Sequence, residues 1–130
     1  MNQERFNELL EKENYDTICK ELDGLMDSPL YNGMFAARTL LIFFSMLKTL
    51  ISLRDTQDLK VNYDVFFKYF EIKNMKELIK NKHIAQHSRD HIVSYISSLT
   101  DGTYHDDRYI YYNSNFHDDA TSQLKCQIVL

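Results

Sequence analysis

From Asn2 to Met26 the apolar residues Phe6, Leu9, Leu10, Tyr15, Ile18, Cys19, Leu22, Leu25 and Met26 recur mostly at spacings of three and four, with acidic residues between them. That is the period of one face of an α-helix. It predicts one or two amphipathic helices, with a break near Asn14 where Asn14 or Asp16 can cap a second helix. The pattern stops between Gly24 and Ser28, and Ser28-Pro29 reads as a new start. Serine accepts a bond from an orphan backbone N–H, and proline at the first helical position gives up a donor that had no partner. The next helix is predicted to run to about Arg54 and to carry Phe35, Leu40, Leu41, Phe43, Phe44, Met46, Leu47, Leu50, Ile51 and Leu53 on more than one face. A helix apolar on several faces is surrounded by others, so this one should be the central post. Gly33, near its start, permits the close approach of a neighbouring backbone or ring.

Asp55 to Lys60 is a polar connection, after which Asn62 can cap a short helix bearing Val65, Phe66, Tyr69 and Phe70. Another short helix is expected after Asn74, with Met75, Leu78 and Ile79 inward. A polar, basic stretch from Lys80 to Arg89 leads into a helix holding Ile92, Val93, Tyr95, Ile96 and Leu99, which ends at Asp101-Gly102. Beyond it Tyr104, Tyr109, Tyr111 and Tyr112 mix with His105, Asp106, Asp107, Asn113 and Asn115, which reads as an irregular segment with a β-favouring run from Tyr109 to Tyr112. Asp118 or Asp119 can begin a final helix that ends in Gln127-Ile128-Val129-Leu130. The expected fold is all-α, a compact single-domain helical bundle of about five to seven helices with a tyrosine-rich, irregular C-terminal segment. Residues 1–27 would form the N-terminal amphipathic helices, 28–102 the central core, and 103–130 the irregular segment and short terminal helix.

Composition supports this and narrows the function. A chain of 130 residues can bury one core, and a hydrophobic fraction of 44% with 13% aromatic residues can offset the entropy of ordering. Only 3 Gly and 1 Pro leave too few turn formers for a β-sandwich. The net charge of −4 removes the broad positive field expected of a protein whose main task is holding a nucleic-acid backbone. Arg38 and Lys48 interrupt the most hydrophobic stretch, Phe35 to Leu53, so it reads as a core helix and not a membrane span. No basic flank with an apolar run and a cleavage site marks an export signal, and a cytoplasmic location is expected. Cys19 and Cys126 lie near opposite ends, outside any CxxC or Cys/His cluster, and read as ordinary buried thiols.

Candidate chemistry is sparse. His83, His87 and His91 follow an i, i+4, i+8 pattern that a continuous helix would align on one face, but the general-base carboxylate of an HExxH site is missing. They read as solvated histidines. His105-Asp106-Asp107 and His117-Asp118-Asp119 repeat a unit that offers nitrogen and carboxylate ligands, the sort a metal-dependent hydrolase uses. Turn residues and a helix cap explain the same aspartates without a metal. With no Gly-rich phosphate loop, no nucleophile elbow and no evident triad, neither catalysis nor a cofactor nor a metal is expected. The Phe66, Phe67, Tyr69, Phe70 stripe reads as core, except that Phe67 falls off the main face and is expected to be exposed. Together with Lys73, Lys76, Lys80, Lys82 and Arg89 it forms the binding surface the sequence suggests.

One resemblance gives this surface a context. Tyr31 and Gly33 open the long helix, Met46-Leu47-Lys48-Thr49-Leu50 leads to Arg54-Asp55, Tyr69-Phe70-Glu71-Ile72 follows, and Tyr95 to Leu99 precedes Asp101-Gly102-Thr103-Tyr104. This series, a little over half of the chain, resembles the all-α domain of type IV secretion and conjugation coupling proteins, DotL-like and TraD-like. Met34 stands where many members carry Arg, and the terminal turn lacks Pro. The resemblance implies a substrate-recognition domain on the cytoplasmic face of the inner membrane, attached to a motor ATPase whose nucleotide-binding core lies outside this segment. Its partners would be protein cargo or a relaxase-like substrate, with weak contact to DNA. A stand-alone helical adaptor or secretion chaperone is the alternative, and a metal-dependent hydrolase using the His-Asp units a more distant one.

Overall fold

Asparagine starts the first two helices. The Asn2 side chain accepts from the backbone N–H groups of Glu4 (2.7 Å) and Arg5 (3.3 Å), opening α1 at Gln3–Lys12 with Phe6, Leu9 and Leu10 on its buried face. Asn14 accepts from the N–H of Thr17 at 2.8 Å and opens α2, Tyr15–Met26. The expected break therefore exists and Asn14 caps it, while Asp16 lies in the first turn, where its charge favours the helix dipole. The computed structural model describes residues 1–26, 33–100 and 116–128, and of these all side chains but those of 24–26, 33–36 and 100. The expected Ser28-Pro29 start, the tyrosine-rich segment with its Tyr109 to Tyr112 run, and the His105 unit lie outside the described residues.

The central post is α3, Gly33–Gln57, whose 25 residues span about 37 Å at 1.5 Å per residue. It passes Arg54 by nearly a turn. Asp58 then takes a left-handed conformation (φ 57°) and lets the chain turn, with the Leu59 N–H reaching back to the Leu53 carbonyl at 3.4 Å. Asn62 caps α4, Tyr63–Tyr69, by accepting from the Val65 N–H at 2.9 Å, and Asn7 of α1 accepts from the Tyr63 N–H at 2.7 Å. Two asparagines thus satisfy donors that so short a helix would leave bare.

Three further helices follow: α5 (Ile72–Leu78), α6 (Gln86–Thr100) and α7 (Phe116–Gln127). Helix α5 begins earlier than expected, because Asn74 sits inside it and uses its side-chain amide to donate to the Lys68 carbonyl at 2.7 Å. Helix α7 likewise starts two residues ahead of Asp118, on the buried Phe116, and the two aspartates occupy its first turn. The described residues form seven helices and no strand, the all-α architecture expected. None of these helices is long and apolar enough to cross a membrane.

One hydrophobic cluster joins residues of all seven helices. Its centre is aromatic: Phe66 lies edge-on to Phe6 (5.9 Å) and to Phe43 (5.2 Å), so α4 wedges between α1 and α3. Edge-to-face pairs of this kind add to the area each ring buries. Phe67 corrects the sequence reading. It is 5% exposed, packed 4.8 Å from Tyr63, with the Lys125 ammonium of α7 at 5.2 Å from its ring. A seven-residue helix held by α1 on one side and covered by α7 on another has too little free circumference to leave a phenyl ring outside. The thiols differ from expectation too: Cys19 is half-buried and Cys126 exposed, and both are free.

Candidate docking face

Among the described residues helices α3 and α6 pack most extensively against each other, and they run antiparallel, as two bonds between them show. Arg38 Nη2 donates to Ser98 Oγ, and Ser45 Oγ meets His91 Nδ1 at 3.1 Å. Moving seven residues forward on α3 moves seven residues back on α6. On the outer side of this pair α3 presents Leu41, Ser45 and Lys48, spaced four and three residues apart, while Arg38, one turn before Leu41, is buried. Leu41 is 60% exposed, the most open large hydrophobic side chain among the described residues, and Val93 of α6 is 41% exposed.

Two shallow clefts flank Leu41. One, of about 270 Å³, lies toward Arg38, Ser94, Tyr95 and Ser98. The other, of about 190 Å³, lies toward Tyr15, Lys48, His87 and Ser88. Leu41, Ser45 and His91 line both, so the clefts are two halves of one groove. The Lys48 ammonium stands 5.8 Å from the Tyr15 ring and makes no ion pair among the described residues. Among the described residues no carboxylate lines either cleft.

A buried polar network starts at Tyr95, which lines the first cleft. The Tyr95 hydroxyl and His117 Nδ1 are 2.7 Å apart, and His117 Nε2 lies 2.6 Å from the Phe70 carbonyl. A carbonyl only accepts, so Nε2 carries the proton and, in the neutral ring, Nδ1 accepts from the tyrosine. Burial pushes the Tyr95 hydroxyl well above its ordinary value and pulls the His117 imidazole below its own, the latter opposed by the bond to Phe70. The Phe70 ring stacks on His117 at 4.9 Å, and the Arg38 guanidinium covers the Phe116 ring at 4.3 Å. The network therefore ties α3, α6 and α7 to the end of α4. With both nitrogens engaged, His117 is a fastener and has no lone pair turned toward a ligand.

The residues singled out in the sequence are placed differently. Lys73, Lys76, Lys80 and Lys82 are exposed on α5 and the turn after it, but Glu71 lies 3.6 Å from Lys73 and Glu77 3.2 Å from Lys80, so the basic patch is interleaved with acid. Arg89 turns inward: Nε donates to the Ile79 carbonyl (2.8 Å) and Nη2 to the Asn81 carbonyl (2.9 Å). It closes the C-terminal end of α5, so it belongs to the framework and not to the binding surface. The three-histidine line breaks as well, because α6 begins at Gln86 and leaves His83 in the preceding turn. His87 and His91 remain neighbours, with rings 4.3 Å apart. Among the described residues no three His, Cys, Asp or Glu side chains are grouped to hold a metal ion.

Sequence reasoning missed Leu41, which it counted among the residues of a surrounded helix. The signal was present in its stripe-mates: Arg38, Ser45 and Lys48 make that one line of α3 polar. Comparisons of the chain with protein-family models, with curated proteins and with solved structures gave no match.

Proposed function

We propose that this chain is a non-catalytic recognition module, the substrate-recognition domain of a type IV secretion or conjugation coupling ATPase, which docks protein cargo on the α3/α6 face. The observation that carries this reading is Leu41. Among the described residues it is the most exposed large hydrophobic side chain, 60% exposed between two clefts of the α3/α6 pair. Protein interfaces draw most of their affinity from a few apolar anchors near the centre of the contact, and a leucine held between two clefts can serve as one. The buried, doubly bonded His117 supports the non-catalytic part of the reading, since the imidazole of that His-Asp unit is spent on packing.

DNA contact is secondary in this account. The α5 lysines share their surface with Glu71 and Glu77 in a chain of net charge −4, so they would neutralise few phosphates. Each such contact steepens the fall of log affinity with log salt by about 0.7 to 0.9. The experiment measures binding of single-stranded DNA and of candidate cargo encoded at the same locus across a salt series. Cargo binding that persists at physiological salt while DNA binding fades is the expected result. Tight DNA binding that survives physiological salt, with no cargo bound, would reject the reading in favour of a DNA-handling domain.

A further inference from the structure

We infer that His87 and His91 form a two-imidazole site for a divalent transition-metal ion, of which zinc is the representative case. The site is independent of the docking role proposed above.

The two residues lie four apart in the first two turns of α6, so their side chains rise from one face of the helix. The sequence offers three histidines in line; the start of α6 at Gln86 removes His83 and leaves the spacing that HExxH helices use for two zinc ligands. The rings stand 4.3 Å apart between centroids, tilted by 52°. Nitrogens that share an ion at Zn–N distances of about 2.0–2.1 Å lie no more than about 4.2 Å from each other. Rings at the observed separation meet that limit by side-chain rotation alone.

Each ring has a nitrogen to give. Ser45 Oγ occupies His91 Nδ1 at 3.1 Å, which leaves Nε2 as the ligating atom. With the lone pair on Nε2, Nδ1 carries the proton and donates to the serine oxygen, the kind of outer bond that fixes the tautomer and orientation of a metal-bound imidazole. His87 is exposed and has no hydrogen-bond partner among the described residues. Both rings line the cleft of about 190 Å³, which Lys48 shares. A cation there holds the affinity below that of a site with a carboxylate, and no third His, Cys, Asp or Glu joins the pair among the described residues. The remaining coordination positions go to water. Two imidazoles and water suit Zn²⁺, Ni²⁺ and Cu²⁺ better than Mg²⁺ or Ca²⁺, which prefer all-oxygen ligands.

The test titrates the full chain with ZnCl₂ at about pH 7.5, where free imidazole is neutral, and follows the ring C–H resonances of all five histidines. His87 and His91 should shift together, saturate at one equivalent in sub-millimolar zinc, and return when EDTA is added. His87→Ala places a good helix former at an exposed position, so the fold should be retained, as circular dichroism will show. It should weaken zinc binding about tenfold or more, and Ser45→Ala about tenfold through the lost orientation of His91. His83→Ala should leave binding unchanged. CuCl₂ as a second probe should bind more tightly than zinc and show two coupled nitrogens by electron paramagnetic resonance. Saturation only at millimolar zinc, shifts confined to His105 or His117, or zinc affinity unchanged by His87→Ala would each overturn the site. A copper signal coupled to a single nitrogen would overturn the pairing of the two rings.

Discussion

Replacing Arg89 by Met should destabilise the protein substantially while leaving binding untouched, although the sequence pattern puts this residue in a basic surface patch. Three bonds leave its guanidinium: to the carbonyls of Ile79 and Asn81, and to the Gln86 side chain at 2.9 Å. The two carbonyls close the end of α5 and are partly buried, and methionine keeps the stem's packing while removing every donor. A hydrogen bond from a charged donor contributes about 1.5–3 kcal/mol, and partial access of water to the freed carbonyls recovers some of that. A net loss of about 2–3 kcal/mol follows. For a chain of 130 residues the unfolding entropy is about 0.27 kcal/mol per kelvin, so Tm should fall by roughly 7–11 °C. Lys82→Met, on an exposed side chain without an ion pair among the described residues, should change stability by no more than about 0.5 kcal/mol. Arg89→Lys should recover less than half of the loss, since one ammonium cannot reproduce the spread of a planar fork. Thermal and urea unfolding followed by circular dichroism measure all three. Equal small losses for Arg89→Met and Lys82→Met would refute the framework role and return Arg89 to the surface patch.

Burial depresses the His117 pKa, so its neutral form is the one the fold prefers. The contribution is present above the unfolded value of about 6.5 and is lost as pH falls through the folded value, because the unfolded chain takes up the proton first. The stability gap between wild type and His117→Gln, measured by urea unfolding, should therefore shrink as pH drops below about 6.5; a gap that widens would contradict this. Asp58 holds a left-handed backbone conformation at the end of α3, which a side chain disfavours by about 1–2 kcal/mol. Asp58→Gly should thus raise stability by about 0.5–1 kcal/mol after the extra freedom of the unfolded glycine is subtracted, and a lower urea midpoint would argue against the strain.

Helix positions were legible wherever local chemistry decides them. The three-and-four spacing from Phe6 to Leu22 and the asparagines at 14 and 62 suffice, because capping and amphipathicity act within one or two turns. The same logic misplaced the starts of α5 and α7, where packing of Ile72 and Phe116 outweighs the cap signals of Asn74 and Asp118. Exposure was harder to read. Phe67 looks peripheral on a helical wheel, yet the Tyr63 ring and Lys125 of α7 close over it, while Asp64 and Lys68 take the open side of α4. Arg89 looks like one more surface cation until the turn from Ile79 to Asn81 is brought under it. Leu41 misled in the opposite direction, since its hydrophobicity was weighed without the polar residues one turn to either side.

The central claim is that partners dock on α3/α6. Its most direct test is a titration of the isotope-labelled chain with cargo encoded at the same locus, followed by backbone amide shifts and line broadening. Perturbation confined to Arg38 through Lys48 and to His87 through Ser98, and lost in Leu41→Gln, is the result this account predicts. Perturbation centred on Lys73 to Lys82, with the α3/α6 amides unmoved, would contradict it.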